Sequence, residues 1–186
     1  MSDNHDNLAI GNKHQAINWL RASAGLLFVL GCLAVYFSIS TPPEDESYLK
    51  FLYLIAGILQ LALAVAIRGQ EGAKSLGIIA VIYIVLAIAF MLMGPVALFM
   101  VVKIFVLSWV CLAFVIIGVL RMGVGIIYKG IDGWLAMSGL GLLTVTNQGV
   151  IMFLFQDNQL TRIMLSGELI INCIFLYFMA RSLENS

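Results

Sequence analysis

Glu168 is the one acidic residue inside the long apolar stretches of this chain, and amide side chains fall where they can meet it. An ionisable group at membrane depth is costly, so each one is a candidate for function. Counted from Ile163 at 1.5 Å per helical residue, Glu168 lies about 8 Å into the last stretch. Asn172 follows at about 13 Å, on the same helix face at i+4. Asn147 and Gln148 lie about 11 Å before Phe155 in the preceding stretch. Antiparallel pairing of the two stretches brings all four to a common depth, which predicts a polar cluster of Asn147, Gln148, Glu168 and Asn172. Such a cluster can be a proton-responsive site, because burial disfavours the charged form of a carboxyl and amides tolerate either state. It can equally be interhelical hydrogen bonding, worth about 1 kcal/mol per contact.

Other residues narrow the chemistry further. Glu44, Asp45 and Glu46 form an acidic run after Pro42-Pro43, read either as a solvated turn or as a sensor of acid or attractor of cations on the outer side. Lys103 and Arg121 are eighteen residues apart, about 27 Å along a helix. That spacing predicts two interfacial anchors, one at each end of a span, with their stems in lipid. Gln60 lies near the middle of another stretch and is expected to bond a neighbouring helix. Cys32, Cys111 and Cys173 all fall within apolar stretches, where thiols behave as small packing residues. Both histidines, His5 and His14, precede the first stretch. No imidazole is therefore available inside the membrane for a Ser/His protease, a haem or a metal site. With no phosphate-binding glycine loop either, the expectation is a protein that is not an enzyme and has no cofactor and no metal.

The elements that must position these groups are six apolar stretches: Ala22–Ser40, Phe51–Ile67, Ser75–Met93, Ile104–Leu120, Trp134–Phe155 and Ile163–Ala180. Each is long enough to cross a hydrocarbon core of roughly 30 Å as an α-helix. Hydrophobic residues make up 62% of the 186-residue chain and charged residues 11%, which excludes an ordinary soluble domain. The formal net charge of zero offers no basic surface for nucleic acid. The predicted fold is an all-α membrane protein with six transmembrane helices arranged as three repeated hairpins (22–67, 75–120 and 134–180) in one domain, 22–181. Short tails, 1–21 and 182–186, flank it. Lys13, Arg21, Arg68, Lys74, Arg121, Lys129 and Arg181 fall on one side, against Lys50, Lys103 and Arg162 on the other. Positive charge is retained on the cytoplasmic side, so both termini are expected there. The partner is the lipid bilayer; protein partners are unspecified, and a closed bundle or a homo-oligomer both fit.

Repetition is visible in the sequence. Trp19-Leu20, Ser75-Leu76 and Trp134-Leu135 open the odd stretches, and Gly57, Gly118 and Gly167 lie in the even ones. Gly57 precedes Arg68-Gly69 by eleven residues, and Gly118 precedes Lys129-Gly130 by the same interval. The runs GLLFVLGCLAVYF (Gly25–Phe37), FVIIGVLRM (Phe114–Met122) and SGELIINCIF (Ser166–Phe175) resemble the HdeD-like acid-resistance membrane proteins. The resemblance extends over nearly the whole chain after Ile17. It implies a small bacterial inner-membrane protein of six helices built from a repeated hairpin, acting in the acid-stress response. The second hairpin departs from the pattern by opening on Ser75-Leu76 without tryptophan, and Lys103 and the link Gly94–Val102 have no counterpart in it. The resemblance carries over no catalytic residue. A small proton-coupled transporter or channel is the alternative.

Overall fold

The computed structural model describes the backbone of residues 3–41, 47–96, 100–153 and 158–185, and the side chains of 13–41, 48–91, 108–151 and 159–185. These residues form six α-helices: α1 (Asp3–Ser40), α2 (Ser47–Ala66), α3 (Ala73–Val96), α4 (Met100–Ile127), α5 (Trp134–Phe153) and α6 (Asn158–Asn185). Five of them are long and apolar enough to cross a membrane. Among the described residues the exception is α5, diluted by Thr144, Thr146, Asn147 and Gln148. The N-terminal residues read as a polar tail are helical from Asp3, and α1 runs into the first apolar stretch without a break. Ala16, Ile17 and Leu20 are already buried in the core.

Helix contacts run round a closed ring, α1 to α2 to α3 to α4 to α5 to α6 and back to α1. The most extensive packing joins α2 to α3, α4 to α5 and α1 to α6. These are not the pairs expected as hairpins; α1–α2, α3–α4 and α5–α6 touch more sparingly. The reason lies in the glycines. Between lipid-solvated helices the driving force is close packing, which needs small residues at the crossing. Each tight pair has one. A methyl group on Gly57 would lie 2.7 Å from Ile84 Cγ1, one on Gly31 2.6 Å from Ile170 Cγ1, and one on Gly118 2.7 Å from both the Gly141 carbonyl and Val145 Cγ2. Gly167, grouped with Gly57 and Gly118 in the sequence pattern, has nothing within 4 Å and makes no such crossing.

The turns that close α2–α3 and α4–α5 share one design. Gly69 and Gly72 adopt φ of 100° and 85°, and Gly130 and Gly133 adopt 94° and 96°, a left-handed region that L side chains enter only with strain. The Gln70 N–H donates to the Ile67 carbonyl, Ala73 to Gln70 and Leu76 to Gly72. Exactly 61 residues later Ile131 donates to Tyr128, Trp134 to Ile131 and Met137 to Gly133. The crossing residues keep the same offset: Gly57 against Ile84, Gly118 against Val145. Geometric equivalence thus runs at 61 residues, two more than the interval read from Ser75-Leu76 and Trp134-Leu135.

Tyr128 ties these two turns together by donating its hydroxyl to the Glu71 carbonyl at 2.8 Å. Ser182, near the end of α6, donates to the Asp132 carbonyl at 2.6 Å. The α2–α3 turn, the α4–α5 turn and the C-terminus of α6 therefore share one end of the bundle. α5 must run from that end to the opposite one, where α6 begins.

Candidate functional site

A 3.6-residue repeat sets one face of α6 inward: Leu165, Glu168, Leu169, Asn172, Phe175, Leu176 and Met179 are all buried. The matching stripe on α4 is Val110, Phe114, Ile117, Arg121 and Val124. Two charged residues, Glu168 and Arg121, thus occupy positions in core-facing stripes, and both side chains are fully shielded. They meet. Arg121 Nη1 lies 3.2 Å from Glu168 Oε2.

Further hydrogen bonds to the pair come from α3 and α5. Arg121 Nη1 also donates to the Thr144 hydroxyl, and Nη2 donates to the Tyr83 hydroxyl at 3.1 Å. Tyr83 and Thr144 are themselves 61 residues apart, so Arg121 bonds the equivalent positions of α3 and α5. Glu168 Oε2 lies 3.1 Å from Thr144 Oγ1, which also lies 3.1 Å from the Leu140 carbonyl. Thr144 has one proton, so it serves one of these acceptors at a time. Glu168 Oε1 accepts from Asn147 Nδ2 at 3.0 Å and from Gln148 Nε2 at 3.3 Å. Asn147 also reaches the Met164 carbonyl at 3.3 Å. The Phe175 ring lies 5.8 Å from the guanidinium carbon of Arg121, adding a cation–π contact.

Of the four residues assigned to the polar cluster, the fold brings Asn147, Gln148 and Glu168 into direct contact. Asn172 is buried on the same face of α6, but neither of its amide atoms has a hydrogen-bond partner. Gln60, expected to bond a neighbouring helix, is buried with both amide atoms unpartnered. Arg121 corrects its assignment: it is no interfacial anchor but the counter-ion of Glu168 inside the bundle. Helix length placed Arg121 near an interface, whereas α4 continues to Ile127 and leaves it a full turn and a half inside. Its place on the apolar stripe of α4, together with the lone carboxyl of the apolar stretches, is the signal from which the pair could have been found. The acidic run Glu44, Asp45 and Glu46 and the side chain of Lys103 lie outside the described residues.

A second buried arginine stands at the other end. Arg162, counted in the sequence among the loop cations, is buried, with its guanidinium carbon 5.4 Å from the Tyr48 ring. Its Nε donates to the Tyr48 hydroxyl at 3.0 Å, and Nη2 donates to the Thr41 hydroxyl and, at 3.4 Å, to the Phe37 carbonyl. Ser38 Oγ joins Ser166 Oγ at 2.7 Å and the Tyr48 hydroxyl at 2.9 Å. This cluster fastens α1, α2 and α6 where α1 ends.

The fold and the paired charges together define a class, the α-helical multi-pass membrane bundle with a sealed ion pair in its interior. No family model, no curated protein and no solved structure matches the chain.

Proposed function

We propose that this chain is a non-enzymatic inner-membrane protein of a bacterial acid-stress response, of the HdeD-like type. The observation that carries the reading is the Arg121–Glu168 pair, opposite charges held wholly inside the bundle within a shell of polar side chains. Protonating Glu168 would leave the guanidinium without its counter-charge in a medium that penalises unpaired charge heavily. The sequence resemblance supplies the acid-stress context, and the pair is the intramembrane charge that makes this interior a functional candidate.

All six helices cross the bilayer on this reading, α5 included, because its two ends lie at opposite ends of the bundle. Its polar side chains Thr144, Asn147 and Gln148 reach the pair, while Leu142, Leu143 and Val150 on its other face are exposed to lipid. The equivalence of α2–α3 with α4–α5 supports an internal repeat, with α6 and α1 closing the ring as the third pair. With Arg121 and Arg162 withdrawn into the interior, six cations remain at the end bearing both termini: Lys13, Arg21, Arg68, Lys74, Lys129 and Arg181. Lys50 and Lys103 remain opposite. That bias supports cytoplasmic termini on this reading.

The test is survival of a deletion strain at about pH 2.5, where carboxylates protonate, complemented by the wild-type gene or by Glu168→Gln. Restoration by wild type and failure by Glu168→Gln at equal membrane abundance is expected. Unchanged survival of the deletion strain in sparse and dense cultures would remove the acid-stress role.

The second reading, a small proton-coupled transporter or channel, is favoured by the unpartnered amides of Gln60 and Asn172 in the same interior. Proteoliposomes decide it. A pH-dependent solute or ion flux that Glu168→Gln abolishes would establish transport, and no flux would discard it.

A further inference from the structure

The polar interior is not complete in its own hydrogen bonding. Beside the ion pair, Arg121 Nε and Gln148 Oε1 are buried and have no partner, although other atoms of both residues bond to Glu168. Asn172 adds an unpartnered donor, Nδ2, and an unpartnered acceptor, Oδ1. It stands four residues after Glu168 and three before Phe175, and both of those residues contact Arg121. Its side chain is therefore on the α6 face that looks onto the guanidinium. Gln60 belongs to the same layer by the internal equivalence. It stands 61 residues before Arg121, the offset that relates the two turns and the two glycine crossings, and its amide is likewise buried and unpartnered.

Leaving so many polar atoms unpaired in one apolar bundle would cost stability at each. The charges of Arg121 and Glu168 cancel, so the layer selects neither an anion nor a cation. The free groups near the pair are donors, Arg121 Nε and Asn172 Nδ2, and acceptors, Gln148 Oε1 and Asn172 Oδ1. We propose that this layer is a binding site for a small neutral molecule carrying both hydrogen-bond donors and acceptors, with Asn172 as its principal contact. Water is the smallest such molecule, and a small amide solute has the same chemistry. A site of this kind goes beyond a role in acid stress: it requires only the geometry of the interior and stands whether or not acid survival depends on this chain.

The experiment uses the full chain in lipid nanodiscs with its side-chain amides labelled with ¹⁵N. Magnetisation transfer from water to the side-chain amides of Asn172 and Gln148 is expected, and formamide is then titrated as the amide probe. Transfer from water without a response to formamide identifies water as the occupant. Shifts of the same two amides with formamide identify a site that also takes an amide solute. Absence of both overturns the proposal. Thermal unfolding of Asn172→Leu supplies an independent sign. An occupied site loses its principal contact and the midpoint falls, whereas a dry site exchanges two unpaired polar atoms for apolar ones and the midpoint rises. A rise would overturn the proposal.

Discussion

Arg121 on α4 and Glu168 on α6 meet at 3.2 Å with no solvent exposure on either side chain, although 47 residues separate them in the chain. Helices α3 and α5 supply the rest of the shell through Tyr83, Thr144, Asn147 and Gln148. Four of the six helices thus converge on one pair of charges.

Breaking that pair from one side should be far worse than removing it. Arg121→Met leaves the Glu168 carboxylate buried and uncompensated, with an expected loss of about 3 kcal/mol, and Glu168→Leu alone should cost as much. The double variant should recover most of the loss, since a buried pair exchanged for apolar groups is often nearly neutral. Thermal unfolding of the four proteins in one detergent measures the coupling. Additive losses would show that the two residues act independently.

The α4–α5 crossing should tolerate no side chain. A methyl on Gly118 would meet the Gly141 carbonyl at 2.7 Å, and one on Gly141 would meet the Gly118 carbonyl at 2.5 Å. Backbone cannot yield as a flexible side chain does, so Gly118→Ala and Gly141→Ala should each destabilise by about 1–3 kcal/mol. Gly139→Ala, with nothing within 4 Å, serves as the control and should be neutral or slightly stabilising by helix propensity. Denaturation midpoints of the three variants check the contrast.

Tyr128 predicts an alkaline limb of stability. Burial, with a smaller effect from the nearby Glu71 carboxylate, pushes its hydroxyl up to about 12 from the ordinary 10.0. The folded value is raised, so the contribution is fully present below the unfolded value and is lost as pH rises through the folded one. Between pH 10 and 12 wild type should lose stability that Tyr128→Phe does not lose. The variant starts lower because the Glu71 carbonyl forfeits its bond. Unfolding followed across that window should show the two curves converging. Parallel curves would exclude Tyr128 as a source of the limb.

Arg162 should not accept lysine. Its fork serves Tyr48, Thr41 and the Phe37 carbonyl from different nitrogens and places its plane near the Tyr48 ring. An ammonium is a point charge that cannot reproduce that geometry. Arg162→Lys is expected to lower the unfolding midpoint and to loosen the end of α1, read as faster amide exchange from Phe37 to Thr41. Tyr48→Phe, which removes one hydroxyl, should do less.

The legible and the illegible parts of the site differ in kind. Glu168, Asn147 and Gln148 could be set at one depth by counting, because helix rise is a constant and their two stretches are consecutive. Arg121 was misjudged because its neighbour in space belongs to a helix two elements further along the chain. Tyr83 offered no charge for a sequence reading to place, and Gln60, expected to bond a neighbouring helix, is buried without a partner. The two glycine turns and their 61-residue spacing were visible as Arg68-Gly69 and Lys129-Gly130 at equal distance from Gly57 and Gly118, and the backbone hydrogen bonds showed that the two turns share one geometry.

By itself, the sequence determined that the chain is helical, that apolar runs of bilayer length dominate it, and which polar groups lie deep within those runs. These are consequences of local periodicity and solvent transfer, which act on each stretch separately. The tertiary structure decided which helices embrace and which charges meet. Apolar helices in lipid have no hydrophobic reason to prefer one neighbour over another, so partners are chosen by close packing at Gly31, Gly57 and Gly118 and by the demand that a buried carboxylate find its cation.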